Sequence, residues 1–332
     1  MNIRQLQFFV AIVEEGSLSK AALKVHVAQP SLSQHVRQLE AEMKCQLLFR
    51  GPKGVEPTEA GQTLLHHARI ILGHVEVARD AIISSQEQPV GHVRFALPGT
   101  VANVLAFPMV EAIRARFPLI RLSVAEAMSG DILSWLREGR VDLGIIYRTA
   151  DAQLISSIHI LTEELWVIAP NRKNLPTLPM SKISFQEAAK LDLVLPTKVH
   201  GLRTILDDFA AKEGIALNPH MEIDSATQIK LMVERGMGYS ILPLMAVSQE
   251  VVLGTLKAIR IVDPTPTRKL FLAHSAEKPL SNAAVAIHRM TGDLIRKLIN
   301  AGTWPAEYVG VTSRTQQPSA PRYDVEDDVL SD

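Results

Sequence analysis

The stretch that decides the fold is SLSKAALKVHVAQPSLSQHVRQLE, which runs from Ser17 to Glu40. Its second half carries apolar residues at spacings of four, three and four, which place them on one stripe of a helix. These residues are Leu32, Val36, Leu39 and Met43. Pro30 fits the first helical position, where its missing N–H costs nothing. The pattern therefore predicts an amphipathic helix that begins near Pro30.

The opposite face of this helix is polar and holds no carboxylate before Glu40. It consists of Pro30, Ser33, Gln34, Arg37 and Gln38. One interpretation is an ordinary solvated face, but a surface helix usually mixes acids and bases. Glutamine pairs with adenine, arginine with guanine and serine with either base. The composition of the face therefore favours contact with bases in a DNA major groove.

The preceding residues predict two more helices. Ser17 and Ser19 are candidate N-caps for a short helix with small residues on one face. Further upstream an amphipathic stripe is ended by Gly16, and its members are Leu6, Phe9, Val10 and Val13. Three short helices, the last two joined by a brief turn, form a helix-turn-helix unit.

A short hairpin is predicted directly after the three helices. Leu47 to Phe49 has the pattern of a strand, Gly51-Pro52-Lys53-Gly54 that of a turn, and Val55 begins a return strand. Such a hairpin is a wing, and it is predicted to carry Arg50 and Lys53 at its tip.

These segments together resemble the LysR-type bacterial transcription regulators. The resemblance rests on LQFFVAIVEEGSLSKAALKVHVAQPSLSQHVRQLEAEM, then LLFR, then GVEPTEAG, and extends from Met1 to about Gly302. The DNA-binding end looks most like the nitrogen-assimilation-control-like branch of the family. The resemblance implies a homotetramer, formed as a dimer of dimers, that binds an interrupted palindrome of double-stranded DNA. It also implies a small-molecule co-inducer, contact with RNA polymerase, and no other cofactor.

The residues and the resemblance together assign the DNA contacts. Six residues are expected to meet the major groove and the adjacent phosphates: Gln29, Pro30, Ser31, Ser33, Gln34 and Arg37. Arg50 and Lys53 are expected to contact the flanking backbone or the minor groove.

Bulk properties agree with a cytoplasmic protein. The chain has 332 residues, enough for two or three domains, and 47% of them are hydrophobic. No apolar run reaches membrane-spanning length, and the N-terminus begins with an amphipathic helix instead of a signal peptide. The single cysteine, Cys45, excludes an internal disulfide and is expected to be a small buried hydrophobe.

The net charge of zero would argue against DNA binding if charge were spread evenly. Residues 1–58, however, hold seven Lys or Arg against five acids, whereas residues 303–332 hold two against six. A weakly basic head fits a regulator that contacts bases and relies on oligomerisation.

A long helix is predicted after Thr58, which suits an N-cap. Its apolar and small residues alternate at spacings of three and four over about three heptads, which favours a coiled-coil seam. The seam runs Gly61, Leu64, Ala68, Ile71, Val75, Ala78, Ile82, and the resemblance implies dimerisation through it. The alternative is a single helix that packs on its own chain. His66 and His67 are adjacent and point in different directions, so no metal site is expected; Ser84 to Gly91 is a predicted hinge.

From residue 91 the pattern predicts alternating strands and helices, and therefore parallel sheets. Strands are expected at HVRFALP, LIRLSVAEA, VDLGIIY, ELWVIAP, LDLVLP, HMEI and YSILP. Ligands in such folds bind outside the carboxyl ends of the strands. Candidate effector contacts there are Thr100, Ser129, Tyr147, Arg148, Thr197 and His200. Taken singly, these residues also fit ordinary caps and turns.

The predicted fold is thus α/β with an N-terminal winged helix-turn-helix, a long linker helix and a two-lobed α/β effector-binding domain resembling periplasmic binding proteins. The DNA-binding domain spans 1–58 and the linker helix with its hinge 59–90. The effector domain spans 91–302, with lobe I at 91–162 and 264–302 and lobe II at 163–263. The chain is expected to cross between lobes near Leu161-Thr162 and Asp263-Pro264. Residues 303–332 are expected to form a disordered acidic tail.

Two other classes of protein compete with this interpretation. An enzyme is disfavoured because the sequence has no phosphate loop, nucleophile elbow, zinc motif or dinucleotide fingerprint. A solute-binding protein would explain residues 91–302 but not the DNA-binding head. The effector itself is hypothesised to be a small organic anion, because Arg148, His200 and Arg203 follow strand ends beside helix N-termini.

Overall fold

The computed structural model describes residues 1–51, 54–83, 88–149, 151–171, 178 and 181–310. Its first part is a winged helix-turn-helix, as predicted. The elements are α1 (Ile3–Glu15), α2 (Leu18–Lys24), α3 (Gln29–Met43), β1 (Leu48–Gly51) and β2 (Gly54–Pro57). Asn2 and Gln5 form a capping box at the start of α1, and Gly16 ends it with a φ of 58°, a left-handed conformation that glycine adopts without steric cost. Ser17 caps α2.

Two predictions about the end of α3 are wrong. Met43 is 38% exposed and Cys45 is also exposed, although both were expected to be buried. The reason is local: Lys44 takes a left-handed conformation with a φ of 54°, which ends the helix and turns the chain away from the core. The expected wing strands are present, but Pro52 and Lys53 lie outside the described residues.

The predicted linker helix is α4 (Glu59–Ile83), and Thr58 caps it by accepting a hydrogen bond from Gly61 N at 3.0 Å. A Cβ at Gly61 would lie 2.0 Å from the Leu47 carbonyl oxygen. The glycine therefore lets α4 pack closely against the backbone of its own winged domain. Ala68 is also fully buried, and Leu64 packs against the core of the winged domain. The first part of the predicted seam therefore faces its own chain.

The later part of the seam is open to solvent. Ile71 is half-buried, while Val75 and Ile82 are 37% and 77% exposed. On another face of α4, Arg69 pairs with Glu14 of α1 at 3.3 Å and with Glu138 of the effector domain at 3.4 Å. The helix thus joins the winged domain to the effector domain and leaves a separate apolar stripe uncovered. Of the predicted hinge, residues 84–87 lie outside the described part of the chain.

The effector domain combines a curled, mixed sheet with helices on its faces. Its first half contains β3 (Gly91–Leu97), α5 (Gly99–Arg116), β4 (Ile120–Glu126), α6 (Ser129–Arg137), β5 (Leu143–Ile146), β6 (Ile155–Pro170), β7 (Lys182–Ser184), α7 (Phe185–Ala188) and β8 (Val194–Leu195). Its second half contains α8 (Gly201–Lys212), β9 (Met221–Glu222), α9 (Ala226–Glu234), β10 (Ser240–Pro243), a 3₁₀ turn (Leu244–Val247), α10 (Ser248–Val252), β11 (Leu256–Val262), β12 (Thr267–Ser275), α11 (Asn282–Asn300) and β13 (Glu307–Tyr308).

The prediction of parallel sheets is only partly right. Strand β3 pairs in parallel with β4 and β5, as the strand–helix–strand pattern requires. Strands β10, β11 and β12 instead run antiparallel to β6. Strand β12 follows β11 after only a short turn, with no helix between them, and neither is among the predicted strands.

The two lobes share β6, which is one strand of sixteen residues. It pairs with β12 up to Glu164 and with β10 and β11 from Leu165 onwards. The first crossing therefore lies about three residues later than predicted, because β6 goes on pairing with β12 past Leu161 as far as Glu164. The return crossing lies between β11 and β12, where Asp263-Pro264 was expected. Each lobe has its own apolar core.

Residues 303–310 are not part of a tail, contrary to the prediction. Trp304 is only 1% exposed and packs in the core of lobe I, and β13 pairs with β6. Burial of an indole ring contributes a large apolar area, which fixes residues 303–310 on the domain. Residues 311–332 lie outside the described part of the chain. Within the described part, no helix has both the length and the apolar character needed to cross a membrane.

Candidate DNA-binding surface and effector cleft

The outer face of α3 presents most of the predicted DNA contacts to solvent. Gln29, Pro30, Ser31, Gln34 and Arg37 are all exposed. The helix starts after Ala28, whose side chain offers no cap, so its first N–H groups remain available to a phosphate.

Ser33 is not part of this surface, which corrects the prediction. It is 8% exposed, and its Oγ accepts a hydrogen bond from Arg50 Nη1 at 3.3 Å. Ser33 and Glu40 are seven residues apart and therefore lie on the same side of α3, which here faces the wing.

Arg50 lies one residue before the closing Gly51–Gly54 pair of the hairpin, and its side chain extends towards α3. Besides Ser33, its guanidinium approaches Glu40 Oε2 at 3.7 Å. The other oxygen of Glu40 accepts hydrogen bonds from Leu47 N at 3.0 Å and Leu48 N at 3.3 Å. The first acid of α3 is thereby held against the start of β1, and Arg50 connects the hairpin to α3.

A cavity of about 200 Å³ lies between the lobes of the effector domain. It is formed where α5, α8 and α9 begin, beside the ends of β4 and β5. The lining residues are Pro98, Gly99, Thr100, Glu126, Ala127, Met128, Tyr147, Pro196, His200, Leu202, Asp224, Ser225, Ala226, Thr227, Ile229 and Leu242. Three of the predicted effector contacts, Thr100, Tyr147 and His200, line this cavity. Its volume is smaller than that of pockets for drug-sized ligands and therefore suits only a small metabolite.

A buried ion pair lies beside the cavity. Arg268 Nε donates to Glu163 Oε1 at 2.7 Å, and the two side chains are 1% and 2% exposed. The remaining nitrogens of Arg268 donate to Tyr147 OH at 3.1 Å and Thr100 Oγ1 at 3.0 Å. Trp304 Nε1 donates to the second oxygen of Glu163 at 3.0 Å. The network therefore fixes two hydroxyl groups that line the cavity.

The protonation states in this network follow from burial and charge. Burial raises the pKa of Tyr147, against the opposing attraction of Arg268, so the phenol keeps its proton at neutral pH. Burial disfavours the charged form of Arg268, but Glu163 outweighs this and the pKa of Arg268 is raised. Arg268 is thus a cation whose charge is matched by Glu163.

His200 caps α8 by accepting a hydrogen bond from Leu202 N at Nδ1, at 3.2 Å. Burial lowers the pKa of His200, and the attraction of Asp224 offsets this only in part. The imidazole is therefore neutral at pH 7, with its proton on Nε2 because Nδ1 is an acceptor. It offers the cavity a hydrogen bond and no positive charge.

The other predicted effector residues lie around the cavity without lining it. Ser129 is buried, and its Oγ accepts a hydrogen bond from Tyr147 N at 3.1 Å. Thr197 donates to Asp224 from its backbone N at 2.9 Å and its Oγ1 at 2.8 Å. Both residues therefore position cavity-lining groups. Arg148 pairs with Asp208 of α8 on the exposed rim.

The charges in the cleft do not match the anion hypothesis. Arg203 is bound to Asp207 at 2.8 Å and to Glu222 at 2.6 Å, and Arg148 is bound to Asp208. The carboxylates of Glu126 and Asp224 do line the cavity. Arg148 and Arg203 are thus engaged elsewhere: Arg203 with an acid one helical turn along α8 and with Glu222 of β9, and Arg148 with an acid on the rim. No group of His, Cys, Asp and Glu in the described residues is arranged to hold a metal ion.

Known protein families match both the DNA-binding part and the effector-binding part of the chain. Residues 3–62 match the family of bacterial regulatory helix-turn-helix proteins, lysR family, and residues 86–294 match the LysR substrate binding domain. The nitrogen assimilation regulatory protein nac of Klebsiella aerogenes is 31% identical over 298 residues, which cover 90% of this chain and 96% of the relative.

Solved structures show the same fold. A full-length OxyR variant from Pseudomonas aeruginosa superposes with a TM-score of 0.72 at 24% identity, covering 89% of this chain and 98% of that one. Full-length CbnR complexed with its target DNA gives a TM-score of 0.61 at 20% identity, covering 88% and 99%.

The fold and its two surfaces define a winged helix-turn-helix DNA-binding protein with a two-lobed ligand-binding domain. The chain belongs to the LysR family, as a transcription regulator with an effector-binding domain.

Proposed function

We propose that this regulator binds an interrupted palindrome as a homotetramer, in the cytoplasm, and acts on RNA polymerase there without catalysing a reaction. Residues 1–58 bind DNA, 59–90 dimerise, and 91–302 bind the effector. The relatives found by comparison are regulators, which supports a binding role over an enzymatic one. The observation that carries the proposal is the exposed polar face of α3, from which Ser33 and the carboxylate of Glu40 are turned away.

Gln34 is proposed to contact a base directly. Gln34→Ala should cost roughly 1–3 kcal/mol at the cognate site and relax the base preference at one position, because a bidentate contact is lost. Gel shifts on cognate and scrambled DNA measure both effects. Gln7→Ala, an exposed glutamine on α1, is the matched control and should change neither. An equal loss on both DNA probes would show that Gln34 contacts only the backbone.

Arg50 and Lys53 are proposed to contribute sequence-independent contacts from the wing. Because Arg50 also connects the hairpin to α3, Arg50→Ala should weaken binding to cognate and scrambled DNA to a similar extent. Its effect thus differs in kind from that of Gln34→Ala in the same gel shifts.

Two separate apolar surfaces support assembly beyond a dimer. The first is the exposed stripe of α4 that contains Val75. The second lies on lobe I, where Phe107 is 71% and Val110 40% exposed on α5, and Val124 is 37% exposed on the edge strand β4. Apolar patches of this kind mark interfaces, and two different patches on one chain are what a dimer of dimers needs.

The effector is proposed to be a small polar molecule that is neutral or zwitterionic. Asp224 and Glu126 accept hydrogen bonds, while Thr100, Tyr147 and His200 supply hydroxyl and imidazole groups. A thiol-based response to peroxide in this domain is excluded for the chain, since Cys45 is its only cysteine and lies next to α3. The names of several relatives mention hydrogen peroxide, and residues 91–302 of this chain contain no cysteine through which a peroxide could act.

Thr100 tests the location of the effector site. In a thermal-shift screen of amino acids, neutral metabolites and carboxylates, a ligand at a hundred times its Kd should stabilise the protein by about 2.7 kcal/mol. Thr100→Val should abolish that response and leave ligand-free binding to DNA unchanged. Thr255→Val removes a hydroxyl in lobe II that does not line the cavity, and should respond like the wild type. A normal response of Thr100→Val would place the effector elsewhere.

A further inference from the structure

A second cavity, of about 310 Å³, lies between the linker helix and lobe I. Helix α4 contributes Gly73, Glu76 and Arg79 to its wall. Lobe I contributes Arg94 from β3, Asp142 from the start of β5, and Lys278 from the segment before α11. This cavity is separate from the effector cleft, with which it shares no lining residue.

One carboxylate in this cavity serves two cations. Asp142 accepts hydrogen bonds from Arg94 Nε at 3.3 Å and Nη2 at 3.1 Å, and from Lys278 Nζ at 2.7 Å. Burial works against the charge of Asp142, but Lys278 and Arg94 outweigh it and the pKa of Asp142 is lowered. The carboxylate is therefore charged, yet it neutralises only one of the two positive charges beside it.

Gly73 explains how Lys278 reaches this position. A Cβ on Gly73 would lie 2.3 Å from Lys278 Cε and 2.9 Å from its Cδ. Glycine is less favourable than alanine inside a helix, and here it leaves the space that the lysine side chain occupies. The wall of the cavity is thus a close fit between α4 and lobe I.

The cavity carries an excess of positive charge. Among its described lining residues, Arg79, Arg94 and Lys278 are cations, while Glu76 and Asp142 are acids. His92 adds no charge, since burial and the neighbouring Arg94 lower its pKa. The first turn of α11, with Ser281 as its cap, forms another wall and adds the partial positive charge of a helix N-terminus.

We propose that this junction cavity binds a small anion, carboxylate or phosphate, as a second regulatory site. An anion placed here neutralises the unmatched cation and contacts α4 and lobe I at once. Occupancy therefore favours the arrangement in which the linker helix lies against lobe I. The site would couple an anionic metabolite to the position of the DNA-binding heads independently of the effector cleft.

The experiment measures anion affinity of the full-length protein by calorimetry and thermal shift. The probes are inorganic phosphate and succinate, each against potassium chloride at the same ionic strength. We expect saturable binding of at least one probe, which also decides between phosphate and carboxylate as the preferred chemistry. Arg79→Gln should weaken it about tenfold or more, since a charge-assisted hydrogen bond to the anion is lost. Glu76→Gln should tighten it, because a repelling carboxylate is removed.

Two further variants serve as controls. Arg137→Gln removes an equally exposed cation from lobe I outside the cavity and should bind like the wild type. Thr100→Val alters the cleft and one hydrogen bond of Arg268, but no residue that lines the junction cavity, and should also keep normal anion affinity. The proposal is overturned if neither probe binds saturably, if Arg79→Gln binds as tightly as the wild type, or if Thr100→Val abolishes binding. The last outcome would place the anion in the cleft, whereas loss of the cleft response alone would leave this site intact.

Discussion

Arg268→Met will destabilise the effector domain by about 3–5 kcal/mol, because it leaves Glu163 buried without its cation. The two side chains are almost completely buried and 2.7 Å apart, so water cannot replace the lost partner. Thr100 and Tyr147 lose hydrogen bonds at the same time. Chemical denaturation monitored by tryptophan fluorescence measures the loss directly, since Trp304 also donates to Glu163.

The control is a neighbouring ion pair that is solvated. Arg260 pairs with Glu164 on the adjacent strand at 2.5 Å, and both are substantially exposed. Arg260→Met should therefore have a far smaller effect. The double variant Arg268→Met with Glu163→Gln should recover much of the lost stability, because no buried charge is left unpaired. If the double variant is as unstable as the single one, lost packing is the cause instead of the unpaired charge.

The sequence contains a signal for this pair in the alternation of residues along its two strands. Arg268 alternates with the buried Leu270 and Leu272 along β12, and Glu163 lies between the buried Leu161 and Leu165 on β6. In a strand, residues two apart share a face, so each charged side chain is expected on the same buried face as its apolar neighbours. What the sequence does not give is the pairing of the two strands, which joins residues 105 positions apart.

Local patterns, in contrast, predicted the winged domain well. Pro30, Ser17 and Gly16 each mark a helix boundary through their own backbone or side-chain chemistry, and the structure places those boundaries as expected. The predictions are wrong for side chains whose contacts are made by a helix or strand distant in the sequence. Ser33 is covered by Arg50 of the wing, and Arg203 is bound to Glu222 of β9; neither contact follows from helical spacing.

The cleft shows the same division between local and distant information. Thr100 and His200 line the cavity because both stand where a helix begins after a strand, which a sequence pattern can identify. The charge of the cavity depends on which cations are already paired. Arg148 is held by Asp208 across the cleft rim, and Asp224 is held in place by Thr197. These pairings occupy the cations on which the expectation of an anionic ligand rested, and they leave the position of the cavity unchanged.

Val75→Asp will separate the dimer and weaken operator binding on the order of a hundredfold or more. The dimer separates because a carboxylate in a dry helix–helix interface has no partner. Operator affinity falls because a single head occupies one half-site and loses the higher affinity of two linked heads. Val75 is a better test position than the half-buried Ile71. It is 37% exposed in the single chain, so its replacement leaves the packing of α4 on its own chain largely intact. Sedimentation velocity and gel shifts on a full operator measure the two effects.

Two controls separate dimerisation from general damage. Val75→Leu keeps the position apolar and should remain dimeric, whereas Val252→Asp places the same charge on α10, at a valine that is 86% exposed, and should bind the operator normally. An intact oligomer with normal operator affinity in Val75→Asp would mean that the open stripe of α4 is not the interface. The heads would then have to be paired through lobe I alone, and Phe107→Glu, not Val75→Asp, would abolish cooperative binding to the two half-sites.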